Sequence, residues 1–375
     1  MLTMMFFNRV MSVDRDGNGR SSDRVRARRL VLTWLVSCCV LIFLMVVLGG
    51  VTRLTGSGLS MVNWKPLSGV IPPLSALAWQ QEFENYQGSP QFQQVNTNMT
   101  LARFQVIFYF EYAHRLLGRI IGLAFIVPFL LLWWRRMIHP PLVPRLLLVF
   151  ILGGMQGLLG WYMVQSGLVD VPRVSPYRLT AHLIVAVAIY AYLFWTALGL
   201  LSERSGHSTV SPLSRGAIGI TVMIVVTILS GGFVAGLKAG HAFNTFPLMG
   251  GQWIPPGYGI AEPFWINFFE TIPAVQFNQR WLAITTFVLV IMFVLRAWRD
   301  DALRIYRAAV GVLVMLAVIQ VSLGISTLLL HVPVVLAAAH QGVALVLLTA
   351  ALYLVFITRH LPSAESRSNV ARHHR

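Results

Sequence analysis

The sequence predicts an all-α integral membrane protein, with eight transmembrane helices forming two parallel-repeat four-helix bundles. Composition, the spacing of apolar runs and an internal repeat carry that expectation. Of 375 residues, 56% are hydrophobic and only 11% charged, whereas a soluble domain carries roughly a quarter charged residues. A spanning helix needs about 20 mostly apolar residues. Eight such runs fall at roughly 30–51, 104–134, 146–168, 179–201, 216–237, 274–297, 308–330 and 333–357.

A net charge of +16 would suit a nucleic-acid binder, but its distribution follows membrane topology. Twenty of the 29 Lys and Arg residues lie in the N-terminal tail, the even-numbered connections and the C-terminal tail. Six lie in or beside the odd-numbered connections, and Arg115, Arg119 and Arg280 fall inside helices. Cytoplasmic segments carry such an excess, so both termini are expected in the cytoplasm, with lipid and no nucleic acid as surroundings. The first 29 residues are Arg-rich yet hold Asp14, Asp16 and Asp23. Transit peptides are poor in acids, so the first helix is expected to stay, in a bacterial inner membrane. Cys38 and Cys39 adjoin in that helix and point in different directions, which excludes a disulfide framework.

The chain accordingly divides into a basic cytoplasmic tail (1–29), an N-terminal bundle (30–201), a cytoplasmic connection (202–215), a C-terminal bundle (216–357) and a basic tail (358–375). The two bundles repeat one another. Gly49-Gly50 matches Gly231-Gly232, and each pair precedes a long loop reaching Pro72-Pro73 or Pro255-Pro256. Arg115 and Arg280 are offset by 165 positions, Gln156 and Gln320 by 164, and His182 and His340 by 158. Four helices per repeat give both halves one orientation, a parallel repeat, and helical bundles build cofactor sites from facing side chains.

Ionisable groups inside spans are costly and mark function by default. Glu111 is the one acid well inside a span, and His114, His182 and His340 are the histidines so placed. The other seven, His139, His207, His241, His331, His360, His373 and His374, read as surface residues. His114 and His182, on helices 2 and 4 of one bundle, could bracket a flat metal cofactor, and haem iron is commonly held by imidazole. Zinc would want more ligands, acids or thiols among them. Glu111 and His114, spaced i, i+3, share a helix face. Glu111 could simply pair with Arg115, or act as a carboxylate that handles protons or stabilises developing charge. Arg115, Arg119 and Arg280 could meet haem propionates through bidentate guanidinium contacts.

Several stretches together resemble the haem A synthases of proteobacteria and mitochondria. They are Gly49-Gly50-Val51-Thr52-Arg53-Leu54-Thr55 with Ser57-Gly58-Leu59-Ser60, and Glu111-Tyr112-Ala113-His114-Arg115-Leu116-Leu117-Gly118-Arg119. Met155-Gln156-Gly157, Gly160-Trp161-Tyr162-Met163-Val164, Tyr177-Arg178-Leu179 and His182-Leu183 follow. The second half adds Asn244-Thr245-Phe246-Pro247, Asn267-Phe268-Phe269-Glu270 and His340-Gln341. The resemblance covers about residues 30–357. It implies oxidation of the C8 methyl of haem O to a formyl group, giving haem A for cytochrome oxidase. It further implies that His114 and His182 ligate the substrate haem, that Glu111 is the acid–base or charge-stabilising group, and that His340 ligates a haem b cofactor. A haem O synthase (a farnesyltransferase) and an electron carrier are the implied partners, and a homo-oligomer is compatible. The long loop lacks the cysteine pair of another branch of the family.

One position departs from that pattern. The family places a histidine before Arg280, where this chain has Gln279, and an amide is a poor haem ligand. Either haem b is five-coordinate on His340, or His241 or His331 substitutes, or the second haem is absent, or the residue was altered by design. The residues alone also fit a membrane cytochrome b that only moves electrons, and, less well, a parallel-repeat transporter.

Overall fold

The computed structural model describes residues 19–65, 68–201 and 211–360. Most of both expected tails and of the 202–215 connection, with His207, His373 and His374, lies outside the described residues. Eight long helices run in chain order: α1 Gly19–Leu54, α2 Leu101–Trp134, α3 Val143–Gln165, α4 Pro176–Leu201, α5 Pro212–Gly236, α6 Ile272–Trp298, α7 Arg307–Leu329 and α8 Val334–Arg359. Each lies in a segment long and apolar enough to cross a membrane. Among the described residues there is no strand, only an isolated bridge between Met249 and Gln252.

Local chemistry sets the helix starts. The Thr100 hydroxyl accepts from the Arg103 N–H to cap α2, and Ser211 caps α5 through the Ser214 N–H, with Pro212 in the first turn. Such caps satisfy donors that have no partner within the helix. α1 begins at Gly19, well inside the segment expected as an N-terminal tail. Arginine is a good helix former, and the Arg28 Nε donates to the Leu200 carbonyl near the C-terminus of α4. A cation is favoured there by the helix dipole, so the basic segment continues the helix.

Helix neighbours follow one pattern twice. α1 packs on α2 and α4, α2 on α3, and α3 on α4; likewise α5 packs on α6 and α8, α6 on α7, and α7 on α8. The halves meet through α1 with α8, α4 with α5, and α4 with α8. Exchanging the halves leaves this set of neighbours unchanged. The second glycine of each pair permits that meeting. A Cβ on Gly50 would lie 2.3 Å from Oε1 of Gln341 on α8, and one on Gly232 would lie 2.8 Å from Oγ1 of Thr180 on α4. The Gln341 amide donates to the Val46 carbonyl at 2.8 Å, and the Arg53 guanidinium donates to the Ala235 carbonyl at 2.6 Å.

The main apolar core includes Phe125 and Phe129 of α2, Leu146 and Val149 of α3, Leu193 of α4, Phe293 of α6, Leu313 of α7 and Leu348 of α8. It concentrates away from the long loops, which leaves the long-loop end of each half for polar side chains. The first long loop carries two short helices, Ala76–Gln87 and Pro90–Gln94, capped by Ser75 and Ser89. They dock Phe83 and Tyr86 on Phe104 and Phe108 of α2.

Candidate active site

Four side chains on the even-numbered helices each rest on a glycine of the helix before. A Cβ on Gly49 of α1 would lie 2.9 Å from Cε1 of His114 on α2. One on Gly160 of α3 would lie 2.9 Å from Cε1 of His182 on α4, and one on Gly324 of α7 would lie 3.0 Å from Cε1 of His340 on α8. The fourth seat pairs Gly231 of α5 with Gln279 of α6, at 3.6 Å from Nε2. Only glycine lets an imidazole lie this close to a neighbouring backbone. Gln279 thus occupies in the second half the place His114 holds in the first.

His114 on α2 and His182 on α4 belong to the same half. The Nδ1 atom of each ring is buried without a hydrogen-bond partner among the protein's own groups, a gap that a bound water or another molecule would fill. In the second half, Nδ1 of His340 lies 3.2 Å from the Gln320 carbonyl. With that nitrogen donating, Nε2 keeps its lone pair, the tautomer of a metal-bound histidine. The Gln320 amide lies 3.4 Å from that Nε2, while its counterpart Gln156 donates instead to the His182 carbonyl at 2.8 Å. Imidazoles over glycine seats, with unpartnered nitrogens, fit a haem held by His114 and His182 in the first half, and His340 is the imidazole of the second half that could hold another.

Glu111 is 3% exposed and one turn from His114. Its Oε2 accepts from the Ser60 hydroxyl and the Met61 N–H, both at 2.8 Å. Its Oε1 pairs with Arg115 at 2.6 Å. The same guanidinium donates to the Met61 carbonyl at 2.9 Å and the Asn63 carbonyl at 3.4 Å, and lies 5.3 Å from the Trp64 ring centre. The second half repeats the device. Arg280 donates to the Phe243 carbonyl at 2.7 Å and the Thr245 carbonyl at 2.8 Å, and Gln276, in the place of Glu111, donates to the Phe243 carbonyl at 3.1 Å. Arg119 donates to the Lys65 carbonyl at 2.8 Å.

The three expected propionate-binding arginines therefore have guanidinium N–H groups directed at loop carbonyls, and each pins a long loop over its helix ring. Glu111 pairs with Arg115 and is a buried carboxylate one turn from His114. His241 and His331, offered as substitutes for the missing histidine, are exposed. The glycine seats and the loop anchors Ser60, Met61 and Gln276 were not singled out as site residues in the sequence. The recurring Gln-x-x-x-Gly of α3 and α7 was the available signal, since it places each glutamine one turn from the glycine under a histidine.

Comparison with known proteins shows the family. Residues 32–352 match the COX15-CtaA family, described as cytochrome oxidase assembly protein. The chain is 49% identical over 338 residues to the heme A synthase of Nitrosospira multiformis, covering 89% of this chain and 95% of that protein. It is 48% identical over 327 residues to the heme A synthase of Nitrosomonas eutropha, covering 86% and 92%. It is 46% identical over 343 residues to that of Paramagnetospirillum magneticum, covering 89% and 95%. A match of this length and identity makes the chain a member of the COX15-CtaA family of cytochrome oxidase assembly proteins.

Proposed function

We propose that this chain is a haem-dependent oxidoreductase of the bacterial inner membrane that converts haem O to haem A. The carrying observation is the pair His114 and His182, seated on Gly49 and Gly160 within one ring of helices. The relatives named heme A synthase support the reaction, and the bias of Arg toward the short connections supports cytoplasmic termini.

The N-terminal half, residues 30–201, takes haem O as substrate. His114 and His182 hold its iron, which fixes the orientation of the ring and so the position of its C8 methyl. The Glu111–Arg115 pair holds the segment Ser60–Asn63 over the site, and the Glu111 carboxylate is the acid–base or charge-stabilising group for the reacting carbon. The methyl is oxidised to the alcohol and then to the hydrate, which loses water to leave the formyl group. This adds one oxygen at the oxidation level of water and releases four electrons and four protons, the electrons passing to the electron carrier. The C-terminal half, residues 216–357, would hold haem b through His340, and Gln279, in the place His114 holds in the first half, would be a poor ligand to it. Haem b, when bound, supplies a one-electron relay. A haem O synthase would supply the substrate, and an electron carrier would take the electrons.

The test is an optical spectrum of the purified protein with extraction and mass analysis of its haem, from cells that make haem O. A formyl-bearing haem identifies the synthase; b-type haem with no formyl product would favour a cytochrome that only transfers electrons. A colourless protein would remove both readings.

A further inference from the structure

We propose that Gln279 makes the C-terminal haem a binding site for a small neutral diatomic ligand, with the Gln279 amide as the hydrogen-bond donor to that ligand. The inference rests on the reading that this half holds a haem on His340. It starts from the internal repeat. Gln279 precedes Arg280 as His114 precedes Arg115, both arginines grip loop carbonyls, and both residues lie over a glycine of the preceding helix. In the first half that seat holds an imidazole, His114. In the second it presents a carboxamide, whose oxygen and nitrogen are weak donors to iron.

Among the described residues, the nearby polar side chains are engaged elsewhere or exposed. The Arg280 guanidinium is engaged with the Phe243 and Thr245 carbonyls, Gln276 donates to the Phe243 carbonyl, and His241 and His331 are exposed. The Gln279 amide nitrogen carries two N–H donors. Its Oε1 is buried without a partner, and its Nε2 lies at ordinary contact distance from the Gly231 seat rather than wedged against it. The Gln320 carbonyl orients the His340 ring. By the internal repeat Gln279 and His340 correspond to His114 and His182, and a single proximal histidine with a hydrogen-bond donor across the ring is an arrangement by which haem proteins hold a diatomic ligand. The two halves would then differ in kind: the first iron closed by two imidazoles, the second open.

The experiment uses the full chain with its bound haem, reduced with dithionite and titrated with carbon monoxide. The wild-type protein, Gln279→His, Gln279→Leu and His340→Ala are compared, with haem content measured in each. Wild type should bind carbon monoxide stoichiometrically with its C-terminal haem. Gln279→His should keep that haem, turn it low-spin and lower carbon monoxide binding at least tenfold. Gln279→Leu should still bind, but with several-fold faster dissociation and a C–O stretch moved to higher frequency. A haem that His340→Ala removes, yet that binds no carbon monoxide in the wild type, would overturn the inference and spare the reading beneath it. An unchanged stretch in Gln279→Leu would overturn the role of the amide. Haem content unaffected by His340→Ala would overturn the reading itself.

Discussion

Gly49→Ala adds one methyl group, and its consequence can be worked from the coordinates. The new Cβ would lie 2.9 Å from Cε1 of His114. Ordinary contact starts near 3.4 Å, so the ring must retreat by roughly half an ångström, set by the 3.4–4 Å range of normal packing. Two energies compete for stability. Alanine in a helix gains about 1 kcal/mol over glycine, and overpacking costs about 1–3 kcal/mol, so the net loss is at most about 2 kcal/mol. Catalysis is less forgiving, because a misplacement near 1 Å can cost about a hundredfold. Gly231→Ala is the internal control: its Cβ would lie 3.6 Å from Gln279 Nε2, in ordinary contact, so only the helix gain remains. The assay pairs thermal unfolding with haem A output and the low-spin haem signal. Gly49→Ala should fold with a small shift in Tm, distort the signal of the N-terminal haem and lower output by tenfold or more. Gly231→Ala should match or exceed wild type in stability and keep its output. Equal behaviour of the two variants would refute the idea that the first seat positions a ligand.

Other outcomes follow from the same geometry. Glu111→Gln should retain haem but stall formyl formation, read as haem O accumulating in extracts; normal haem A output would remove Glu111 from the chemistry. Arg280→Ala should free the carbonyls of Phe243 and Thr245, raising protease cleavage in that loop while leaving the spectrum of the N-terminal haem intact. Gly232→Ala would bring a Cβ to 2.8 Å from Thr180 Oγ1, between α5 and α4, and should lower stability by about 1–3 kcal/mol through overpacking; an unchanged melting curve would contradict the close approach of the halves.

Much of this architecture is legible in the sequence, for identifiable reasons. Eight apolar runs report helices because lipid admits few alternatives. His114, His182, His340 and Glu111 stand out because polar groups are scarce in such runs. The destination of the arginines is not legible. Arg115 finds its carbonyls in Met61 and Asn63, some fifty positions earlier, and a guanidinium that could grip a propionate could equally grip a loop. The length of α1 is hidden because its first turns are basic, and their support is a carbonyl on α4. The Ala76–Gln87 helix is short and mostly polar, so its two buried aromatics, Phe83 and Tyr86, reveal it only once α2 is in place. The glycine seats were visible as glycines but not as seats, because their partners come from other helices.

The most direct test of the paired-imidazole site is low-temperature EPR of the haem O-loaded protein, compared with His114→Ala and His182→Ala. The account predicts a low-spin, two-imidazole signal in the parent that either substitution abolishes, while the His340-dependent haem persists. Survival of that signal in both variants would show that the two rings do not share one iron.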